Sequence, residues 1–211
     1  TASGDRDHAI MNIVTSAFGN AGQKCSACSL LLVERSVYED KNFQDKLKDA
    51  ATSIKVGSVW EAGNVVGPMI TNRNDKLLQA LTLEPGESWL VPPKFIDEKQ
   101  YILAPTVKWG VKPGSYSFRT ELFGPMLSVA CIDNLQQGIE LVNSLDYGLT
   151  SGLQSLDENE QKLWKDSILA GNLYINRGIT GAIVNRQPFG GMKLSAFGGG
   201  VKAGGPNYCA C

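Results

Sequence analysis

The stretch from residue 10 to residue 34 limits the fold most. Ile10, Ile13, Val14, Ala17 and Phe18 recur at i, i+3, i+4, i+7 and i+8, the apolar stripe of an amphipathic helix. Asp5 and Asp7 stand near its start, where the positive end of the helix dipole favours acidic groups. Gly19 and Gly22 can end it, and residues 29–34 (SLLLVE) then read as a short buried strand. The alternation returns downstream. A second helix carries Val37, Phe43, Leu47, Ala50, Ala51 and Ile54 on one face, and 72–81 looks helical. Residues 126–132, 148–154 and 172–176 read as strands, with helices marked by Leu135, Ile139, Val142 and Leu145 and by 158–170, which Gly171 stops. The proline-dense stretch 83–117 reads as irregular, and the glycine-rich tail from 190 as a shaped loop. Strands alternating with helices predict a layered α/β fold with a mostly parallel sheet.

Composition narrows the function classes. The 211 residues are 43% hydrophobic and 19% charged, the profile of an ordinary globular domain. A formal net charge of -1 gives no bulk electrostatic case for nucleic acid or an anionic membrane as partner. The longest apolar run, 30–33, is far too short to span a bilayer, and no basic region followed by an apolar core marks a secretory signal. The five cysteines (25, 28, 131, 209 and 211) are odd in number and unevenly scattered. This is no small secreted disulfide framework, and it suits a reducing cytoplasm.

Cys25 and Cys28 form a C-x-x-C spacing that admits three chemistries. Zinc needs three or four ligands; besides these two the chain offers His8, Cys131 and the Cys209-x-Cys211 pair, with no ligand-spaced histidine, so no metal site is expected. A redox pair belongs at a strand-to-helix junction, whereas here the order is helix, glycine loop, Cys25, strand. Cys28, against the start of the strand, reads as a small buried hydrophobe. Cys25 follows Gly22-Gln23-Lys24 among small neighbours that let a substrate approach the backbone. It is a candidate covalent nucleophile. From these residues alone a packed structural cysteine stands equally.

The segment "FGNAGQKCSACSLLLVE" resembles the catalytic-cysteine region of the NAD(P)-dependent aldehyde dehydrogenase superfamily. Further motifs follow in that superfamily's order: "VGPMI" at 66–70, "APTV" at 104–107, "ELFGPMLSV" at 121–129, "YGLTSGL" at 147–153, "GNLYINR" at 171–177 and "QPFGGMKLSAFG" at 187–198. The resemblance covers essentially the whole chain and implies a three-layer α/β/α catalytic domain over residues 1–211, with a substrate-anchor loop and tail at about 178–211. "GQKCSA", "RGITGAIVNRQPFGG" and "KAGGPNY" at 202–208 narrow it to the pyrroline-5-carboxylate (glutamate semialdehyde) branch, which includes modules of bifunctional proline-utilisation enzymes.

The resemblance implies that Cys25 attacks the aldehyde and that its backbone N–H is one oxyanion donor. Glu121 would hold the nicotinamide ribose and Phe123 would pack beside the ring. Ser26 and the Gly181-Ala182 backbone would hold the substrate's far carboxylate, and Phe189 would line its aliphatic part. Each has a plainer rival: a solvated acid for Glu121, core aromatics for Phe123 and Phe189, a turn for Gly181, a local cap for Ser26. The Ser195-Ala196 pair departs from the usual Ser-Gly. Nothing in 1–211 matches the superfamily's dinucleotide-binding domain, which carries the water-activating glutamate and the second oxyanion donor. The expected protein is thus a catalytic-domain fragment, inactive alone, of an NAD-dependent homo-oligomeric enzyme acting on a small acidic aldehyde, with NADP left open. The alternatives are an aldehyde dehydrogenase of other specificity and a non-catalytic assembly or regulatory module.

Overall fold

The computed structural model describes residues 1–71, 74–97, 99, 101–183, 186–197 and 203–204. In chain order the elements are α1 (Arg6–Phe18), a 3-10 turn (Gly19–Gly22), β1 (Leu30–Glu34), α2 (Arg35–Tyr38), α3 (Lys41–Thr52) and α4 (Asp75–Ala80). There follow β2 (Ser88–Val91), β3 (Phe95–Asp97), β4 (Ile102–Leu103), β5 (Thr106–Trp109), α5 (Tyr116–Arg119), β6 (Met126–Ile132) and α6 (Leu135–Asn143). The last are β7 (Tyr147–Gly148), β8 (Thr150–Leu153), α7 (Glu158–Ser167), β9 (Asn172–Ile175) and β10 (Met192–Lys193).

The main sheet runs β1-β6-β5-β2, with β1 and β5 parallel to β6 and β2 antiparallel at the edge. β8 and β9 form a separate parallel pair. Side chains alternate across β1: Leu31 and Val33 join α1 and α3 in one core, while Leu30 and Leu32 turn to the opposite face with Ala130 and Leu141 of α6. α6 and α7 pack together with Leu153 and Leu173 on that side. Helices on both faces of a mostly parallel sheet make the three-layer α/β/α arrangement. Phe18, Leu47 and Leu127 are fully buried between layers, each burial stabilising by about 1.5–3 kcal/mol.

Caps fix the helix bounds. Asp5 accepts the His8 N–H at 2.9 Å and opens α1. The second expected helix is two, because Asp40 accepts the Asn42 N–H at 2.9 Å and restarts the chain as α3, held also by its ion pair to Arg6. α4 starts at Asp75 because Asn74 caps it. α7 stops at Ser167, short of Gly171: the Asn143 amide donates to Ser167 C=O and accepts from Leu169 N–H, both at 2.8 Å, and Ile168 turns into the core.

The stretch 83–117, expected to be irregular, contains β2 to β5, and β5 is buried throughout. Lys108 hid it. A lysine in a core strand contradicts the apolar pattern, yet Lys108 Nζ meets Glu87 Oε2 at 3.0 Å, Thr82 C=O at 2.7 Å and Ser117 Oγ at 3.0 Å. All three of its donors are used.

Candidate active site at the cysteine loop

The loop that carries Cys25 is built by an unusual backbone. Asn20, Ala21 and Gly22 are successive left-handed residues (φ 56°, 53° and 66°), which turn the chain sharply out of α1. Gly22 is required twice, by its φ and by space: a Cβ there would lie 2.1 Å from Gly124 C=O. Gln23 then clamps a distant loop as a second peptide group would. Its Oε1 accepts the Ile70 N–H at 2.8 Å and its Nε2 donates to Pro68 C=O at 3.5 Å. On the far side, Cys28 N–H donates to Ser16 C=O at 3.0 Å, and Ser16 Oγ accepts the Ile179 N–H at 3.0 Å. Between these anchors Cys25 is exposed, and its peptide N–H has no acceptor among the described residues.

The two thiols of the C-x-x-C spacing differ in kind. Cys28 donates to Leu30 C=O at 3.5 Å, and burial pushes its thiol up to about 12. Cys25, Cys28 and Cys131 are all free. Among the described residues no cluster of histidine, cysteine, aspartate or glutamate could hold a metal ion. Cys209 and Cys211, weighed as ligands, lie outside the described residues.

Glu121 and Phe123 stand on the loop that enters β6. Leu122 between them is buried against Leu77 and Met126, so alternation throws its neighbours outward. Phe123 adopts φ 50°, a conformation costing a bulky residue about 1–3 kcal/mol unless its surroundings hold it. They do: Asn74 Nδ2 donates to Leu122 C=O at 2.6 Å, and Gly124 lies between Leu77 and Gly22. Glu121 and Phe123 are both exposed, and Glu121 has no hydrogen-bond or ion-pair partner among the described residues. Cys25, Glu121 and Phe123 line one cleft of about 510 Å³. Cys25 lies just ahead of β1, and Glu121 and Phe123 just ahead of β6, at the amino-terminal ends of these strands, whereas open α/β sheets ordinarily bind ligands at the carboxyl ends.

The remaining residues expected at the site lie apart from this cleft. Ser26 is buried beside Cys25, and its hydroxyl has no partner among the described residues. Gly181 is exposed at φ 85° with open space around it, and Ala182 is half-buried. Phe189 pairs with Ala203 through two backbone bonds of 2.8 Å. Asn172 steadies that strap, donating to Pro188 C=O at 2.9 Å and accepting the Gly190 N–H at 3.0 Å. None of these four candidates lines the cleft wall, which in this region is made by Arg177 and Ile179. Ser195, of the departing Ser-Ala pair, accepts the Gly148 N–H at 3.0 Å. Asn176, at φ 52°, closes the turn at Ser155 with both amide atoms. Val184, Asn185 and the "KAGGPNY" segment fall largely outside the described residues.

Sequence reasoning missed Gln23 and Asn74, whose amides fix the loops of Cys25 and Glu121. Their partners are backbone groups 47 and 48 residues away, so the local sequence carries no trace of them.

The pattern of the aldehyde dehydrogenase family matches residues 1–210. A 1-pyrroline-5-carboxylate dehydrogenase of Geobacillus kaustophilus is 35% identical over 206 residues, 97% of this chain and 39% of that protein. Among solved structures, proline utilization A from Corynebacterium freiburgense is 47% identical with a TM-score of 0.93, covering 99% of this chain and 21% of that one. A Thermus 1-pyrroline-5-carboxylate dehydrogenase with bound NAD is 33% identical with a TM-score of 0.88, covering 99% and 40%. The chain thus spans about two fifths of the curated relatives it matches. Sequence pattern, fold and relatives agree, and the chain belongs to the aldehyde dehydrogenase family.

Proposed function

We propose that this chain is the cysteine-bearing part of an NAD-linked dehydrogenase oxidising glutamate γ-semialdehyde, the open form of 1-pyrroline-5-carboxylate, to glutamate. One observation carries the reading: an exposed cysteine with an unused peptide N–H shares a cleft with an unpartnered carboxylate and an outward aromatic ring. The names of the relatives supply the substrate and the cofactor.

In this reading the Cys25 thiolate adds to the aldehyde carbon. A C–S bond forms, and the carbonyl π pair moves to oxygen, where the Cys25 N–H meets the developing charge. Losing one such donor typically slows catalysis about a hundred- to a thousandfold. The nicotinamide supplies a two-electron acceptor for the hydride that leaves the same carbon. The product on Cys25 is a thioester, which water cleaves to carboxylate and thiol. Glu121 and Phe123 fit the cofactor's side of the cleft: a free carboxylate can accept two ribose hydroxyls, and an exposed ring offers a flat face. Ser26, Gly181, Ala182 and Phe189 would hold the substrate's far end, the two glycine-loop N–H groups acting without a fixed cation. Among the described residues the three free cysteines fit a reducing compartment.

The test is a comparison of kcat/KM, in the longer polypeptide, for glutamate semialdehyde and for an aliphatic aldehyde of equal length without the carboxylate. The acidic substrate should be favoured well beyond the roughly 10- to 200-fold that one methylene provides, because the analogue leaves the anchor's hydrogen-bonding groups unpaired. Equal values would remove the anchor and leave an aldehyde dehydrogenase of other specificity.

A further inference from the structure

Ser16, in the last turn of α1, is the residue at which the cysteine loop and the candidate carboxylate anchor are joined. It is 3% exposed. Its C=O accepts the Cys28 N–H at 3.0 Å, and the Ala27 N–H donates to Lys24 C=O at 3.0 Å, closing a turn that carries Cys25 and Ser26. Its Oγ accepts the Ile179 N–H at 3.0 Å, two residues ahead of Gly181. Ser16 thus holds the nucleophile's loop through its backbone and the anchor's loop through its side chain.

The anchor segment is laid along α1. Asn176 clamps Ser155 with both amide atoms. Gln154 Nε2 then donates to Arg177 C=O at 3.2 Å, while its Oε1 accepts from Asn12 Nδ2 at 3.2 Å. Asn12 and Ser16 stand one helical turn apart on the same face, so the segment runs from the middle of α1 toward the end from which the chain leaves for Cys25. Gly178 lies against that face: a Cβ there would come 3.1 Å from Ser16 Oγ and 3.9 Å from Asn12 C=O. Beyond Ile179 the clamps stop. Gly181, at φ 85°, has open space around it, and the N–H groups of Gly181 and Ala182 have no acceptor among the described residues. Ile183 C=O then accepts the Arg186 and Gln187 N–H groups, both at 3.0 Å. Two free amides are presented from a segment whose last fixed point ahead of them, among the described residues, is the Ser16 hydroxyl.

We propose that Ser16 is a positioning residue for substrate length: α1 is the spacer, and the Ser16 hydroxyl fixes how far the Gly181 and Ala182 amides stand from the Cys25 sulfur. The inference rests on the reading of those amides as the seat of the substrate's far carboxylate. An aldehyde carbon at Cys25 and a carboxylate at the amides are satisfied together only by a linker of matching length. A misplacement of about 1 Å can cost about a hundredfold in rate. An anchor released from α1 would follow acids of different length and lose that discrimination.

The test uses the longer polypeptide with glutamate semialdehyde, the acidic semialdehydes one methylene shorter and one longer, and the aliphatic aldehyde without the carboxylate. Ser16→Ala keeps the backbone bond to Cys28 and removes only the Ile179 contact. The preference in kcat/KM for glutamate semialdehyde over the shorter and longer acids should fall by about tenfold. Turnover of the aldehyde without the carboxylate, and alkylation of Cys25 by iodoacetamide, should stay within about twofold, because the cysteine loop keeps its backbone anchor. Gly178→Ala presses on the same contact from the other side and should lower the same preference. A length preference unchanged in Ser16→Ala, or an equal loss with all the aldehydes, overturns the proposal. If that variant does not fold, an unchanged preference in Gly178→Ala overturns it. So does a native enzyme that favours the acidic aldehyde without regard to its length, which leaves the anchor standing and removes the spacer. A native enzyme indifferent to the carboxylate removes the anchor itself, and the proposal with it.

Discussion

At pH 8 a thiol titrating near 12 is ionised in about one molecule in ten thousand, so Cys28 is chemically silent where Cys25 is exposed. Iodoacetamide at that pH should modify the peptide carrying Cys25 on its Cys25 sulfur, and fragment masses that place the label on Cys28 would contradict the assignment. The same burial has a thermodynamic signature. An unfolded chain loses the Cys28 proton near pH 9 and the folded one near 12, so between those values the unfolded state binds fewer protons and stability falls with pH. The slope from this group approaches about 1.4 kcal/mol per pH unit. Urea unfolding from pH 9 to 11 should show that extra fall in the native protein and not in Cys28→Ala. Much at this scale is legible in the sequence: glycine loop before strand sets the two cysteines in different surroundings, and the motifs single out Cys25, Glu121 and Phe123. The amide of Gln23 is invisible there, because its partners at Pro68 and Ile70 are defined by the fold.

Two loops, one ending α1 and one entering β6, meet at Gly22 and Gly124, and the Cys25 and Glu121 they carry line the same cleft. Gly22→Ala forces a Cβ onto a backbone carbonyl and a side chain onto φ 66°. It should cost about 1–3 kcal/mol in backbone strain alone and depress turnover more than it depresses stability, since the loops must part. Assays showing normal kcat in a destabilised protein would separate the contact from catalysis. β5 makes a second claim at this scale. The side chains of Lys108 and Glu87 are each 1% exposed, so removing one partner strands a buried charge. Glu87→Leu alone should cost about 3–5 kcal/mol in chemical unfolding, and adding Lys108→Met should restore much of it. A double variant no more stable than the single one would show that the pair does not act as a unit. β5 escaped the sequence pattern for this reason: periodicity registers a lysine as solvent-facing, and its three acceptors come from segments whose proximity only the fold creates. The strands β1, β6 and β9, free of such a residue in their buried runs, are readable as aliphatic blocks.

The whole molecule presents its candidate chemistry at one rim of the sheet, with Glu121 and Phe123 as the groups proposed to face the cofactor. Residues 1–211 by themselves should therefore give no aldehyde-dependent NADH, while the longer polypeptide does, measured as absorbance at equal protein concentration. Steady turnover by the 211-residue chain would contradict that division. The layered fold was legible because helix stripes and aliphatic runs alternate along most of the chain. The division of the strands between the four-stranded sheet and the separate β8-β9 pair was not, since each strand reads normally by itself. The most direct measurement is mass analysis of the longer enzyme, acid-quenched during turnover with glutamate semialdehyde and NAD. A glutamyl group in thioester linkage on Cys25, absent when NAD is omitted, is the predicted result. An acyl group on another residue, or steady turnover by Cys25→Ala, would contradict the account.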